Sequence, residues 1–320
     1  MTLKQLRCLC EVVQQGLNLS RAARTLHTSQ PAITKMIRAL ESELDVQLLV
    51  RAGARIVSLT EEGEEVVSFA RHVLQDVHDL RLAATDSREA GRGTLRIGTT
   101  NLQARYALID VIRRFVLQYP NVDLTLCQGT PGEIARWVSD GEVDIGISTV
   151  PQALPRNVLK LEAYDIHRCI AVPRGHPLAK VKRPTLRQLA RHRLIAHDNQ
   201  LATGAVVRKA FEAAHIVPRI TLRTADADLL KSYVKAGLGV AVIQKMAVDD
   251  AKEDRALHII DAGHLFAPST AWITVRRDQY LRRYMYDFIA LVAPRWTRSE
   301  IEQQRAPRTP PARPRSRRTE

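Results

Sequence analysis

Ala22-Ala23-Arg24-Thr25-Leu26-His27-Thr28-Ser29-Gln30-Pro31-Ala32-Ile33-Thr34-Lys35 is the stretch that decides the fold of the N-terminal region. A helix-turn-helix needs a small residue where its two helices touch, and Ala22 or Ala23 fits. Its second helix must present short polar groups and cations to base edges and phosphates. Gln30 carries the amide that pairs with adenine, and Ser29, Thr34, Lys35 and Arg38 can reach phosphates or bases. Arg21, Arg24, Thr28 and Pro31 complete the candidate contacts on this motif. No Asp or Glu lies between Val12 and Leu40, so this face meets no acidic repulsion. The competing reading is an ordinary helical hairpin with basic decoration.

The flanking sequence supports the motif. Leu3, Leu6, Leu9, Val12 and Val13 keep the spacing of a one-faced helix. Gly16 and Asn18 break it, and Ser20 is the expected cap of a second helix over Arg21 to Leu26. His27, Thr28 and Ser29 form a turn, and Pro31 suits the first turn of a third helix. That helix places Ile33, Met36, Ile37 and Leu40 on one face. Short apolar strands at 46–50 and 55–59 bracket Arg51-Ala52-Gly53-Ala54 and predict a hairpin wing, with Arg51 and Arg55 as further DNA contacts. From Glu61 to about Arg88, Val66, Val67, Ala70, Val73, Leu74, Val77, Leu80 and Leu82 hold a helical period. An amphipathic helix of that length predicts a partner helix in a dimer.

From Thr94 the pattern changes. Strand-like runs at 95–98, 122–126 and 144–148 alternate with helical runs at 104–119 and 131–140. The alternation restarts at Cys169-Ile170-Ala171-Val172 and continues through Val240-Ala241-Val242-Ile243. Such alternation predicts an α/β architecture with a mostly parallel sheet. Two such units predict two lobes with a ligand cleft between them.

Composition sets outer bounds. The 320 residues suit two or three domains at roughly 100–200 residues each. A 45% hydrophobic content excludes a fully disordered chain. The net charge of +14 points to polyanions, with nucleic acid ahead of anionic membrane, against the bland alternative of a generally basic proteome. Its distribution is uneven: +4 over 1–60, −5 over 61–90, +10 over 91–304 and +5 over 305–320. The last stretch, rich in Arg and Pro, is expected to be a disordered, solvated tail. Cys8, Cys10, Cys127 and Cys169 are too few and scattered for a disulfide framework. Cys8 and Cys10 read as small buried residues on a helix rather than zinc ligands. Lys4, Arg7 and Glu11 interrupt any signal core, and no run has the roughly 18 apolar residues of a membrane span. A cytoplasmic protein with no membrane partner is expected. No nucleophile elbow, phosphate-binding loop or zincin motif occurs, and Gly237-Leu238-Gly239 reads as a helix-to-strand turn. His72 and His78 fall on different helix faces and make no metal site. No enzyme and no cofactor are expected.

With Ser29-Gln30-Pro31-Ala32 followed by Leu40-Glu41, the chain resembles the LysR-type transcriptional regulators, up to about residue 300. The resemblance implies a winged helix-turn-helix over 1–60 and a linker and dimerisation helix over 61–90. It further implies a two-lobed α/β, periplasmic-binding-protein-like effector domain over 91–300, leaving 301–320 as the tail. Lobe I would comprise about 91–162 and 268–300, and lobe II about 163–267. Double-stranded promoter DNA with paired half-sites, RNA polymerase, and self-association to a homodimer and usually a homotetramer are the implied partners. A two-lobed solute-binding protein fits the lobes alone, but not the first 90 residues.

The segment Thr99-Thr100-Asn101-Leu102-Gln103-Ala104-Arg105-Tyr106 is similar to the effector loop of the family's cysteine-regulon branch, the CysB and Cbl type. Gln128-Gly129-Thr130-Pro131, Thr224-Ala225-Asp226-Ala227-Asp228, Gly237 to Val240 and Arg283 to Phe288 match the same branch. That branch implies control of sulfur assimilation genes and a small-molecule effector: sulfate, thiosulfate, or O- or N-acetylserine. The residues themselves agree. Thr99, Thr100 and Gln103 lie between a strand and a helix start, where hydroxyls and backbone N–H groups suit an anion. Thr149 follows the strand at 144–148, at the end where α/β ligands bind. The branch pattern also places Leu102, Tyr164, Ala202 and Thr203 at the effector. Leu102 and Ala202 stand where it has threonines, Val150 where it has an acid, and Ile166 where it has an aromatic. Each lost hydroxyl removes about 1–2 kcal/mol if it faces the ligand. The departures predict weaker sulfate binding or a less polar effector.

Overall fold

The computed structural model of the chain describes residues 1–53, 55–85, 91–149, 151, 153–199, 201–248 and 255–306. The expected tail from 307, the 86–90 end of the linker segment, Val150, and the side chains of Arg55 and Leu82 lie outside the described residues.

Three helices open the chain: α1 (Leu3–Gln14), α2 (Leu19–Thr25) and α3 (Gln30–Leu44). Leu6, Leu9, Val12, Ala22, Ala23, Ile33, Ile37 and Leu40 close on one core, so the two alanines do sit where the helices meet. Cys8 is buried in this core, and burial pushes its thiol up to about 11; Cys10 is half-buried. The cap of α2 differs from expectation. Asn18 Oδ1 accepts from Arg21 N at 3.0 Å, and the helix starts one residue before Ser20. The short Asn side chain reaches the free N–H groups first. Ser20 instead donates its hydroxyl to Gln30 Oε1 at 3.0 Å, tying α2 to α3.

The wing is the antiparallel pair β1 (Leu49–Ala52) and β2 (Arg55–Leu59). Glu41 explains its docking. This carboxylate is buried on α3 and accepts from the backbone of Leu48 at 3.0 Å and Leu49 at 3.3 Å. Helix α4 (Glu61–Thr85) follows, about 37 Å long for its 25 residues. Val67 and Ala70 join the N-terminal core. Phe69 and Leu80, 68% and 72% exposed, project away from it with Val73.

Lobe I holds β3 (Arg92–Thr99), α5 (Ile109–Gln118), β4 (Asn121–Gln128), α6 (Pro131–Ser139), β5 (Ile145–Ser148) and β6 (Val158–Ile166). Lobe II holds β7 (Arg168–Pro173), α7 (Leu186–Ala190), β8 (Leu194–His197), α8 (Ala202–Ala213), β9 (Ile220–Thr224), α9 (Ala227–Lys235), β10 (Val240–Gln244) and β11 (Leu257–Asp261). The chain returns to lobe I with β12 (Ser269–Arg276), α10 (Arg283–Val292) and α11 (Arg298–Arg305). The crossover falls at His167, because β6 runs to Ile166, four residues past the expected boundary.

The sheet orders are β4-β3-β5-β12-β6 and β11-β7-β10-β8-β9. Neither is mostly parallel, which corrects the sequence expectation. In each, two strand pairs are parallel and two antiparallel. The returning strand β12 and the entering strand β7 run against their neighbours, a consequence of the double crossover. Central strands β5 and β10 are buried along their whole length, which explains their unbroken apolar runs. At Gly146 a Cβ would meet Thr274 Oγ1 at 2.3 Å and Ile134 Cγ2 at 2.8 Å, so α6 packs directly on the sheet.

The start of the expected tail also needs correction. Residues 301–305 are helical, and Ile301 is fully buried in the lobe I core. Thr297 and Glu300 form a capping box that starts this helix, and Arg305 bonds back to the Arg277 carbonyl at 3.1 Å. One apolar residue with a good cap is enough to extend the ordered chain past the compositional boundary.

Candidate functional site

Two sites emerge. The first is the exposed face of α3. Ser29 caps the helix, its Oγ accepting from Ala32 N at 3.3 Å, and Pro31 fills the first turn. His27 adopts a left-handed φ of 48° in the turn between α2 and α3. Burial of Ile33, Ile37 and Leu40 turns the other side outward. Gln30, Pro31, Thr34, Lys35, Arg38 and Ala39 therefore line one surface depression. Ser20 holds the Gln30 side-chain oxygen, which fixes the amide's direction. Arg21 and Arg24 are exposed on α2, and Thr28 is half-buried in the turn. Arg51 is half-buried and lines, with Arg38, Glu41 and Asp45, a second depression beside the wing.

The second site is a cavity of about 350 Å³ between the lobes. That volume is at the lower end for small-molecule sites, roughly 300–1,000 Å³. Three local structures build it. After β3, Thr100 accepts from Gln103 N at 3.4 Å, and the chain enters a π-helical turn over Gln103–Ala107. Such a turn is rare and redirects its side chains. After β4, Thr130 and Glu133 form a capping box on α6, and backbone and hydroxyl donors from Thr130 hold the Glu133 carboxyl below its ordinary range. In lobe II, Gly204 brings α8 onto β8: a Cβ there would meet Asp198 O at 2.0 Å. Only glycine allows that approach, which sets Ala202 and Thr203 on the cavity wall.

Of the expected effector residues, Thr100, Leu102, Gln103, Thr149, Ala202 and Thr203 line this cavity. Thr99 does not: it is buried in the sheet and donates its hydroxyl to Ile147 O at 3.1 Å. Tyr164 stands behind the wall, donating its hydroxyl to Gln103 Oε1, and burial raises its pKa. The side chain that Tyr164 orients faces the cavity; Tyr164 itself does not. The expected helix over 104–119 is instead the π-turn followed by α5, so Thr100 serves as a cap as well as a lining residue.

Sequence reasoning missed part of the wall. Arg168, His197 and Gln244 of lobe II and Ser269 of β12 line the cavity, and Arg168 and His197 are 1% and 3% exposed. Arg168 Nη1 donates to Ala267 O at 2.5 Å, and Nη2 donates to Ser269 Oγ. Burial lowers its pKa to about 10, well above neutral, so the guanidinium stays charged. His197 Nε2 lies 3.0 Å from Gln244 Oε1. Burial, with Arg168 nearby, depresses the His197 pKa to about 4 and keeps the ring neutral. A polar residue at the end of an apolar strand was the only available signal, and many such residues merely close strands.

A cross-cleft cluster completes the site. Lobe I contributes Asn101, Arg105 and Tyr106; lobe II contributes Asp226, Asp228 and Lys231. Arg105 Nε lies 2.9 Å from Asp228, and Asn101 Nδ2 donates to Asp226 at 3.1 Å. Tyr106 donates to Asp228, and Lys231 Nζ lies 3.0 Å from Asp228 and 3.1 Å from the Tyr106 oxygen. Burial works against the Asp228 charge, but Tyr106, Lys231 and Arg105 outweigh it and hold the carboxyl below its ordinary range. Among the described residues no cluster of His, Cys, Asp and Glu is arranged to hold a metal. No described helix is long and apolar enough to cross a membrane.

Comparison with known proteins matches both regions of the chain. Residues 3–64 match the bacterial regulatory helix-turn-helix protein, lysR family, and residues 88–297 match the LysR substrate binding domain. The chain is 40% identical to the HTH-type transcriptional regulator CysB of Haemophilus influenzae, over 94% of this chain and 93% of that one. It is 38% identical to the regulator SsuR of Burkholderia cenocepacia, over 94% and 97%. The crystal structure of the cofactor-binding domain of the Cbl transcriptional regulator superposes with a TM-score of 0.63 at 31% identity, covering 68% of this chain and 94% of that one. Full-length CbnR with its target DNA shares the fold, at TM-score 0.63 and 23% identity over 91% and 99% of the two chains. With both family domains matched along its length and relatives of the CysB, SsuR and Cbl type, this chain belongs to the LysR family of transcriptional regulators, in the cysteine-regulon branch.

Proposed function

We propose that this protein controls sulfur assimilation or cysteine biosynthesis genes in the cytoplasm, in response to a small anionic or acetylserine-like effector held between the two lobes. The carrying observation is the cavity itself: the branch segments at 99–106, 128–131 and 224–228 all converge on it. Sulfate, thiosulfate and O- or N-acetylserine are the candidate effectors. A second reading, a less polar effector, draws on Leu102, Ala202 and Ile166 at the wall.

The α3 face, with Arg21, Arg24, Thr28 and Arg51 flanking it and Arg55 as a further contact, reads promoter DNA in the major groove. The 61–90 segment forms the homodimer, with Phe69, Val73 and Leu80 as its apolar stripe. A homotetramer then spans paired half-sites, and effector binding changes its geometry, the DNA bend and contact with RNA polymerase. That requires different effector affinity in the two arrangements.

Two measurements test the reading. Gln30→Ala with Lys35→Ala abolishes operator binding in a gel shift while the dimer stays folded; unchanged affinity would remove α3 from the interface. Thr100→Ala weakens N-acetylserine binding in calorimetry severalfold; wild-type affinity would move the effector elsewhere.

A further inference from the structure

Most of the positive charge of the effector domain lies in one place. No Asp or Glu occurs between Asp165 and Asp198, and the 20 residues from Arg174 to Arg193 carry seven cations. They supply +7 of the +10 carried by 91–304. Arg174, Lys180, Lys182 and Arg183 precede α7; Arg187, Arg191 and Arg193 lie on it or just after it. All seven are exposed. Among the described residues none of them forms an ion pair, whereas the exposed Arg113 and Arg208 meet Asp110 at 3.3 Å and Glu212 at 2.8 Å.

The fold gathers these side chains. The segment is a single excursion between β7 and β8. Its two ends touch through His176 and His192, whose ring centroids lie 4.5 Å apart. Its middle is pinned where His264 Nε2 lies 2.8 Å from Pro184 O. Leu178 and Leu189 are buried in the lobe II core, and Ala179, Leu186 and Ala190 pack against it. With the apolar side chains turned inward, the cations form the outer surface. That surface is at the end of the sheet away from the cavity. Arg168 and His197 line the cavity, and Pro173 and Leu194 are the opposite ends of the same two strands. The length of β7 puts the surface roughly 17 Å beyond the cavity wall. It is no part of the effector site.

Its composition selects the partner. A protein partner needs an apolar or aromatic centre to its interface. None of the exposed large apolar side chains lies between 174 and 193, and the segment has no Phe, Tyr or Trp. The same lack removes a stacking platform for single-stranded bases. Thr185 and Gln188 bond each other in the capping box of α7, which leaves no free amide for base edges. Five of the seven cations are arginines, whose planar fork suits phosphate oxygens. Such a surface fits the sugar-phosphate backbone of duplex DNA, contacted without base readout.

We propose that the 174–193 surface of lobe II is a second DNA contact, holding phosphates of duplex outside the half-site read by α3. Helix α4 is gripped at the Arg276 end of β12, on the other side of the cavity, so α3 and this surface approach different stretches of DNA. The contact stands whatever effector the cavity takes. It adds sequence-independent affinity, and a shift of lobe II then moves the flanking DNA.

The test uses an operator located by footprinting on genomic DNA, either with about three helical turns of flanking duplex on each side or trimmed to its half-sites. Binding is read by fluorescence anisotropy on the full-length protein. Lys182→Gln with Arg183→Gln, Arg187→Gln and Arg191→Gln should weaken the long probe about tenfold or more and leave the short probe within about twofold. On the long probe the slope of log affinity against log salt should fall by about 3–4, at roughly 0.9 per phosphate. Arg183→Lys with Arg187→Lys and Arg191→Lys keeps the charge and should keep most of the affinity. Arg113→Gln, Arg114→Gln, Arg208→Gln and Lys209→Gln together remove the same charge elsewhere and should leave both probes within about twofold. An equal loss in that control assigns the effect to bulk charge and overturns the proposal. Unchanged affinity and slope in the 182–191 variant overturn it too, and leave the surface to an acidic protein. An equal loss on both probes overturns the assignment to flanking DNA. Failure of the α3 assignment shows separately, in the gel shift of Gln30→Ala with Lys35→Ala.

Discussion

Asp228→Asn is the sharpest perturbation of the cross-cleft cluster. Asp228 is the common partner of Arg105 at 2.9 Å, Lys231 at 3.0 Å and the Tyr106 hydroxyl. The Lys231 side chain is 5% exposed and Asp228 27%. The substitution takes the Asp228 carboxylate away from the buried Lys231 ammonium, which also meets the Tyr106 oxygen at 3.1 Å and Ala247 O at 2.7 Å. Breaking a fully buried pair costs about 3–5 kcal/mol and an exposed one about 0–1. With one partner buried and the other a quarter open, the loss should be about 2 kcal/mol. For a unit the size of the effector domain this lowers Tm by about 4–8 °C, read by calorimetry on the full chain.

The decisive figure is the coupling across the cleft. Tyr106→Phe, Asp228→Asn and the double variant form a cycle whose interaction energy should be about 1–2 kcal/mol, the worth of a hydrogen bond to a charged group. Asp228→Asn with Lys231→Met removes both charges of this pair and should regain part of the loss, because the buried ammonium deprived of Asp228 contributes to it. The carboxyl pKa is depressed in the folded state, so this stabilisation is present above the unfolded value near 4 and lost as pH falls through the folded one. A cycle within about 0.5 kcal/mol of additivity would refute the claim that Tyr106 and Asp228 hold the lobes together.

Two further outcomes follow from the geometry. The His197 pKa falls from 6.5 to about 4 on folding, so its contribution is intact above pH 6.5 and is lost as pH drops toward 4; His197→Gln should flatten that part of the stability–pH curve in urea titrations. Phe69→Ser with Leu80→Ser removes two exposed apolar side chains from α4 and should shift the dimer toward monomer by tenfold or more in analytical ultracentrifugation, with an unchanged wild-type dimer constant excluding this face.

Legibility in the sequence followed the range of the interactions. The α3 face was readable because periodicity, an acid-free run and a Ser-Gln-Pro start are all local signals. The wing and α4 were readable for the same reason. The capping of α2 was misplaced by two residues because Asn18 and Ser20 are both good caps, and only the tertiary bond from Ser20 to Gln30 separates them. Sheet direction failed because it depends on the double crossover, which strand–helix alternation does not encode. Thr100, Gln103 and Thr149 were found at strand ends, where the α/β rule places ligands. Arg168 and His197 were not. Each reads locally as an ordinary strand terminus, and the bonds from Arg168 to Ala267 and from His197 to Gln244 that fix them at the cavity join residues 99 and 47 positions apart.

Strand β12 joins the two functional regions physically. Its first residue, Ser269, lines the cavity and receives Arg168. Its last, Arg276, is buried and faces Asp79 of α4 at 3.4 Å, while Asp79 also accepts from Tyr280 N at 3.0 Å. The seven steps between span about 23 Å of strand. Pairing with β5 on one side and β6 on the other keeps that span stiff. The α4 helix is gripped a second time at the end of α6, where His72 Nε2 lies 2.6 Å from Ser139 O and Arg71 reaches Glu142 at 2.8 Å. The linker helix is thus fixed to the same lobe whose edge forms the cavity. A shift of lobe II against β12 acts on a rigid element already attached to the helix that carries the DNA reader. Linkage then makes the relation reciprocal: whatever factor effector occupancy applies to operator affinity, operator occupancy must apply to effector affinity.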